Sequence, residues 1–66
     1  MRVSLNRASK IPLYQQIREY LGHEIINETL AEGTRLPSSR KLAQNLGVNR
    51  ITVNNAYAEL EAEGLI

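Results

Sequence analysis

Gly47 and Asn49, separated only by Val48, restrict this chain more than any other residues in it. Glycine takes the left-handed conformation that closes a helix, and an Asn carboxamide accepts from the free N–H groups that open one. One helix must therefore stop and another start within three residues. Before the glycine, Ser38 follows Pro37 and precedes Ser39-Arg40-Lys41-Leu42-Ala43-Gln44-Asn45-Leu46. This predicts a short helix capped by Ser38, with Leu42, Ala43 and Leu46 facing inward. After Asn49, Val53, Ala56, Tyr57 and Leu60 recur at helical spacing, and Gly64 ends that run.

The remainder supplies one more helix. Pro12 suits a first helical turn, and Leu13, Ile17, Leu21 and Ile25 recur every four residues, so an amphipathic helix is predicted over about 12–27. Gly22 inside it costs about 1 kcal/mol in helix propensity relative to Ala, which points to close approach by a neighbouring element. Residues 27–37 carry Gly33 and Pro37 and no sustained period, and read as a loop pinned to the core by Leu30 and Leu36. The expected fold is all-α, three helices, with Leu65-Ile66 as the stub of a strand. Residues 1–11 are expected to be a flexible basic arm and residues 12–66 the folded domain.

Composition excludes several functions. At 66 residues the chain is near the lower limit at which apolar burial alone can order a backbone. It has no Cys for disulfides or thiolate metal sites, and the single His23 has no ligand neighbours. One His and no clustered carboxylates leave no catalytic set, so no enzyme, no metal and no cofactor are expected in this chain. Met1-Arg2-Val3-Ser4-Leu5-Asn6-Arg7 is basic and precedes no apolar stretch, so neither a secretory signal nor a membrane anchor is read there, and a cytoplasmic protein is expected.

The net charge of +1 hides a division along the chain. Residues 1–18 contain Arg2, Arg7, Lys10 and Arg18 without an acid, and residues 33–50 contain Arg35, Arg40, Lys41 and Arg50 likewise. Between them lie Glu19, Glu24, Glu28 and Glu32, and after them Glu59, Glu61 and Glu63. Folding that gathers both basic blocks on one side would make a polyanion-binding face.

Two short helices joined by a Gly-containing turn form the helix-turn-helix signature, whose second helix enters the DNA major groove by its N-terminal end. The same pattern also suits an ordinary helical corner, so the outward face of the last helix decides. With about 100° between successive residues, Val53, Ala56, Tyr57 and Leu60 share one side, and Ile51, Asn55 and Ala58 lie opposite. An outward Ile51 suits packing on a thymine methyl, and Asn54 or Asn55 suits bidentate pairing with adenine. Arg50 can reach a guanine edge or a phosphate, and Thr52 can donate its hydroxyl to the DNA backbone. Ser38, Ser39 and Arg40 offer a phosphate clamp at the preceding helix start, although capping alone also accounts for Ser38. The competing class is a protein-interaction module docking through Glu59, Glu61 and Glu63.

Pro12-Leu13-Tyr14-Gln15-Gln16-Ile17, Gly33-Thr34-Arg35-Leu36-Pro37-Ser38-Ser39-Arg40, Leu42-Ala43, Leu46-Gly47-Val48-Asn49-Arg50, Thr52-Val53, Ala56-Tyr57, Leu60 and Glu63-Gly64-Leu65-Ile66 together resemble the GntR family of bacterial transcriptional regulators. The resemblance covers nearly all of the chain after residue 11. It implies a winged helix-turn-helix that ends here where its wing begins, and a piece of a longer, effector-responsive regulator that binds a double-stranded DNA operator as a homodimer. Pro37-Ser38-Ser39-Arg40 and Ala56-Tyr57 look most like the MocR subgroup, whose longer members add a domain binding pyridoxal phosphate; the short YtrA-like subgroup shares much of the pattern. Carried over by motif, Arg40 matches the family's DNA-contacting Arg in the second helix, Asn49 the polar residue that opens the third, Arg50 the Arg beside it, and Thr52 a phosphate-contacting Thr. Many relatives have Ser at position 49, a polar residue at 51 and sometimes a basic residue at 54, so Asn49, Ile51 and Asn54 imply a different operator.

Overall fold

The structure, a computed structural model, describes residues 3–27 and 36–66. Arg2, Glu28, Glu32 and Arg35 of the charge blocks, Leu30 with its expected pinning role, and Gly33-Thr34 lie outside the described residues. Three helices are present, α1 (Leu13–Ile26), α2 (Ser39–Leu46) and α3 (Arg50–Ala62), and there is no strand among the described residues. The all-helical expectation holds, and Leu65-Ile66 continues past α3 without strand structure.

Each helix boundary has a local cause. Pro12 immediately precedes α1, and its carbonyl accepts from the Gln15 and Gln16 N–H groups. Ser38 caps α2 by accepting from the Lys41 N–H at 3.1 Å, and Asn49 caps α3 by accepting from the Ile51 N–H at 2.8 Å. Both later helices end on a left-handed glycine, Gly47 at φ 68° and Gly64 at φ 75°. In each case the following N–H folds back to a carbonyl in the last turn, Val48 to Ala43 at 3.1 Å and Leu65 to Leu60 at 2.9 Å. These are Schellman-type ends, and they turn an apolar side chain, Val48 or Leu65, back onto the core.

Ile17 and Leu21 from α1, Leu42 and Ala43 from α2, and Val53, Ala56 and Leu60 from α3 form the buried cluster. No polar or charged side chain among the described residues is buried with them. Both α1 and α2 pack on α3, and the backbones of α1 and α2 make no close approach to one another. Close approach at Gly22 is also seen: a Cβ there would sit 3.5 Å from the Leu65 Cδ1 and 3.6 Å from the Leu60 Cδ2.

The amino-terminal segment differs from the flexible arm expected of it. Val3 is buried and Leu5 packs against the core. The Asn6 N–H donates to the Gln16 Oε1 at 2.8 Å, while the Gln16 Nε2 donates to the carbonyls of Asn6 at 3.0 Å and Ile11 at 2.8 Å. One α1 side chain thus satisfies three backbone groups of this segment. These long-range hydrogen bonds place the segment against α1, and composition does not encode them.

Two glycine substitutions separate space from conformation. Contacts of 3.5–3.6 Å are ordinary van der Waals distances, so Gly22→Ala fits without displacement and gains about 1 kcal/mol of helix propensity, raising the thermal midpoint by roughly 4–8 °C. Gly47→Ala has room as well, but its positive φ costs about 1–2 kcal/mol and should lower the midpoint. Thermal denaturation of both variants checks the pair.

Tyr57 generates a further expectation. Its hydroxyl donates to the Pro37 carbonyl at 2.6 Å, and partial burial pushes the phenol above its ordinary pKa of 10.0. Tyr57→Phe should cost about 0.5–1.5 kcal/mol at neutral pH. Because the folded pKa is the higher one, the contribution is complete below pH 10 and is lost as pH rises through the folded value. Denaturant titrations at increasing alkaline pH should therefore show the gap between wild type and variant closing.

Candidate nucleic-acid interface

The buried stripe of α3 determines what its other side presents. With Val53, Ala56 and Leu60 fully buried, Arg50, Ile51, Asn54, Asn55 and Ala58 are exposed, and Thr52 is half-buried at the edge. Ile51 is 65% exposed, a large aliphatic surface with no partner within the described fold. The outward face of the first two turns therefore offers a guanidinium, an aliphatic group and two carboxamides. No acid stands in the first turn of α2 or α3, so nothing there offsets the positive end of either helix dipole.

Of the residues singled out in sequence, Ser38 and Asn49 are engaged as caps. The Asn49 Oδ1 is taken by Ile51, which leaves its Nδ2 as the group able to donate outward. Ser39 is the half-buried first residue of α2, and Arg40 and Lys41 are exposed beside it. The Tyr57 hydroxyl fastens the Pro37 carbonyl and so ties the approach to α2 against the middle of α3. This links the Ser38-Ser39-Arg40 corner to the helix that carries Arg50 to Asn55. Tyr57 was legible as an inward residue at helical spacing; an inward phenol calls for a hydrogen-bond partner, but sequence does not identify Pro37 as that partner.

The two basic blocks do not act as one. Arg18 pairs with Glu63 and lies 3.9 Å from Glu59 across the α1–α3 groove, so it is committed to the carboxyl end of α3. Its hydrogen bond to Glu63 is the main cause holding its guanidinium above the ordinary pKa; desolvation opposes this, and the charges of Glu63, Glu59 and Glu19 add to it. Arg7 goes the other way. Its Nη2 lies 3.1 Å from the carbonyls of both Leu46 and Gly47, at the turn between α2 and α3. Sequence spacing carries no signal for this contact, which joins residues 39 and 40 positions apart.

Among the described residues no helix is long and apolar enough to cross a membrane, and no group of His, Asp and Glu is arranged to hold a metal ion. The outward faces of α2 and α3 carry guanidinium, ammonium, carboxamide and aliphatic groups.

Residues 13–66 match the family described as bacterial regulatory proteins, gntR family. Over 62 residues the chain is 42% identical to the uncharacterized HTH-type transcriptional regulator YhdI of Bacillus subtilis (strain 168), covering 94% of this chain and 13% of that protein. The probable rhizopine catabolism regulatory protein MocR of Rhizobium meliloti is likewise 42% identical over 62 residues, with 94% of this chain and 13% of the relative covered. The HTH-type transcriptional repressor YtrA of Bacillus subtilis (strain 168) is 36% identical over 64 residues, 97% of this chain and 49% of that protein. The chain thus spans less than half the length of each of these relatives, and it matches long and short ones alike, so the two subgroups are not separated. With these matches the chain belongs to the gntR family of bacterial regulatory proteins, of which it is a DNA-binding, transcription-regulating domain.

Proposed function

We propose that α3 enters the major groove by its N-terminal end and reads a specific operator there. The observation that carries this reading is the exposure of Arg50, Ile51, Asn54 and Asn55 on a helix whose opposite stripe is fully buried. Arg50 takes a guanine edge or a phosphate, Ile51 packs on a thymine methyl, and Asn54 or Asn55 pairs with adenine. Asn49 and Thr52 donate to phosphates beside them, and Ser38, Ser39 and Arg40 clamp a second stretch of backbone.

Affinity then divides into a salt-dependent part from the cations and a base-dependent part from α3. A single helix-turn-helix buries little DNA surface, so the working form is a homodimer on a symmetric or repeated operator. Dimerisation and effector response lie in further parts of a longer cytoplasmic regulator, with pyridoxal phosphate as the cofactor of those parts if the protein is of the long kind. The domain itself is non-catalytic. A protein-docking role for the acidic end of α3 is the weaker reading, because Glu59 and Glu63 already face Arg18.

Two measurements on a duplex selected by this chain from a random pool test these roles. Arg40→Ala should weaken binding to every sequence alike and lower the salt slope by about 0.9, the change expected from one lost phosphate contact. Arg50→Ala should in addition relax base preference, by about 1–3 kcal/mol at one position. Equal and non-selective losses from both would overturn the division of roles.

Ile51 has its own test. Replacing thymines of the selected duplex by uracil, one at a time, removes single methyl groups and should weaken wild-type binding at one position. Ile51→Ala should be indifferent to that replacement. A wild type that ignores every uracil would remove the methyl contact.

A further inference from the structure

The amino-terminal segment makes a connection that the helices do not. Since α1 and α2 each pack on α3 without close backbone approach to one another, their relation is set through α3 and through whatever else spans them. Among the described residues, Asn6-Arg7 spans them. Gln16 of α1 grips Asn6 from both sides, accepting from its N–H and donating to its carbonyl. The Asn6 Oδ1 in turn accepts from the Ala8 N–H at 3.1 Å, which fixes the bend around Arg7. From that bend the Arg7 Nη2 reaches the last two carbonyls before Val48, those of Leu46 and Gly47.

Those carbonyls lie at the negative end of the α2 dipole, and the last turn of α2 holds no basic residue of its own. A cation is favoured there, and a charge-assisted bond to two successive carbonyls restrains the peptide planes of the turn. The turn is short: Gly47 and Val48 alone separate the end of α2 from the Asn49 cap of α3. Any rotation of the Gly47 peptide would therefore be passed to the N-terminus of α3, the end that carries Arg50 and Ile51.

We propose that Arg7, anchored by Gln16, is a positioning residue for DNA binding: a strap from α1 that holds the α2–α3 turn, and with it the reading end of α3, in the orientation that fits DNA. The proposal rests on the DNA-binding reading given above. Arg7 acts through the turn, and Gln16 acts through Arg7.

The test compares wild type, Arg7→Ala, Gln16→Ala and the double variant in the full chain, with two readouts. The first is titration of a mixed-sequence duplex over a range of salt concentrations. Each single variant should bind roughly tenfold more weakly, the scale of one charge-assisted hydrogen bond, with the salt slope unchanged, and the double variant should be little worse than either single one. The second is amide hydrogen exchange without DNA. Exchange at Gly47, Val48 and Ile51, whose N–H groups are bonded at the turn, should accelerate in both single variants while Leu42, Val53 and Leu60 keep their protection, which also shows that the variants are folded. If Arg7→Ala lowers the salt slope by about 0.9 and Gln16→Ala has no effect, Arg7 is a phosphate ligand and the strap is overturned. Unchanged exchange at the turn overturns it too. A wild type that binds no DNA would refute the DNA-binding reading instead, and the exchange data would still decide whether the strap holds the turn.

Discussion

One stripe of α3 carries the packing of the other two helices. Val53, Ala56 and Leu60 are fully buried because α1 comes down on one flank and α2 on the other, and the residues that α1 and α2 contribute to the core meet on this stripe. A helix used in this way is fixed in azimuth: it cannot rotate about its axis without exposing part of that stripe to water, at about 25 cal/mol for each Å² of apolar area. The face opposite is therefore presented in one orientation. Recognition of a groove needs this, since base edges are read over distances of a hydrogen bond and a rotated helix would carry different groups to them.

The charges of α3 follow the same polarity. Its amino end begins with Asn49 and Arg50, whereas its carboxyl end carries Glu59, Glu61 and Glu63. Acids at a helix C-terminus oppose the dipole, and no basic residue of the last turn relieves them. Arg18 supplies the relief from α1, by pairing with Glu63 and approaching Glu59. Both ends of the pair are substantially exposed, so its value to stability is small. Its effect on charge distribution is larger, because it sets a cation against the acidic carboxyl end of α3. The amino end of α3 thus carries a cation, and the acids of its carboxyl end are partly offset by Arg18.

The helices were readable in the sequence because each boundary depends on neighbours. Ser38, Gly47, Asn49 and Gly64 act on N–H and C=O groups within five residues of themselves, and the inward positions repeat with the helical period, so local chemistry and observed structure agree there. The outward position of Ile51, Asn55 and Ala58 follows from the same period and was equally legible. The path of residues 3–11 was not, since its anchors are Gln16, ten positions from Asn6, and the Leu46 and Gly47 carbonyls, far from Arg7 in sequence. An Arg in a polar segment reads as solvated charge, and only the tertiary fold shows which carbonyls it faces. The fate of Arg18 was hidden for the same reason, since its partners Glu59 and Glu63 lie more than forty positions away in sequence.

What the core uses and what α3 presents outward are disjoint sets of residues. Ile51, Asn54 and Asn55 contribute nothing to the buried cluster, while Val53, Ala56 and Leu60 present nothing outward. Exchanging an outward residue for another good helix former therefore leaves the fold nearly unaffected, within about 0.5 kcal/mol for a typical exposed position. Such a helix can change the sequence it reads without being rebuilt. The exposed Ile51 shows the direction of the compromise, since an aliphatic side chain facing water gains nothing for the isolated domain and becomes favourable only against an apolar partner such as a thymine methyl. Asn49 stands between the two sets, because its Oδ1 caps the first turn of α3 while the residue itself is exposed. Variation at that position favours side chains that still cap the helix, such as Ser, Asp or Thr.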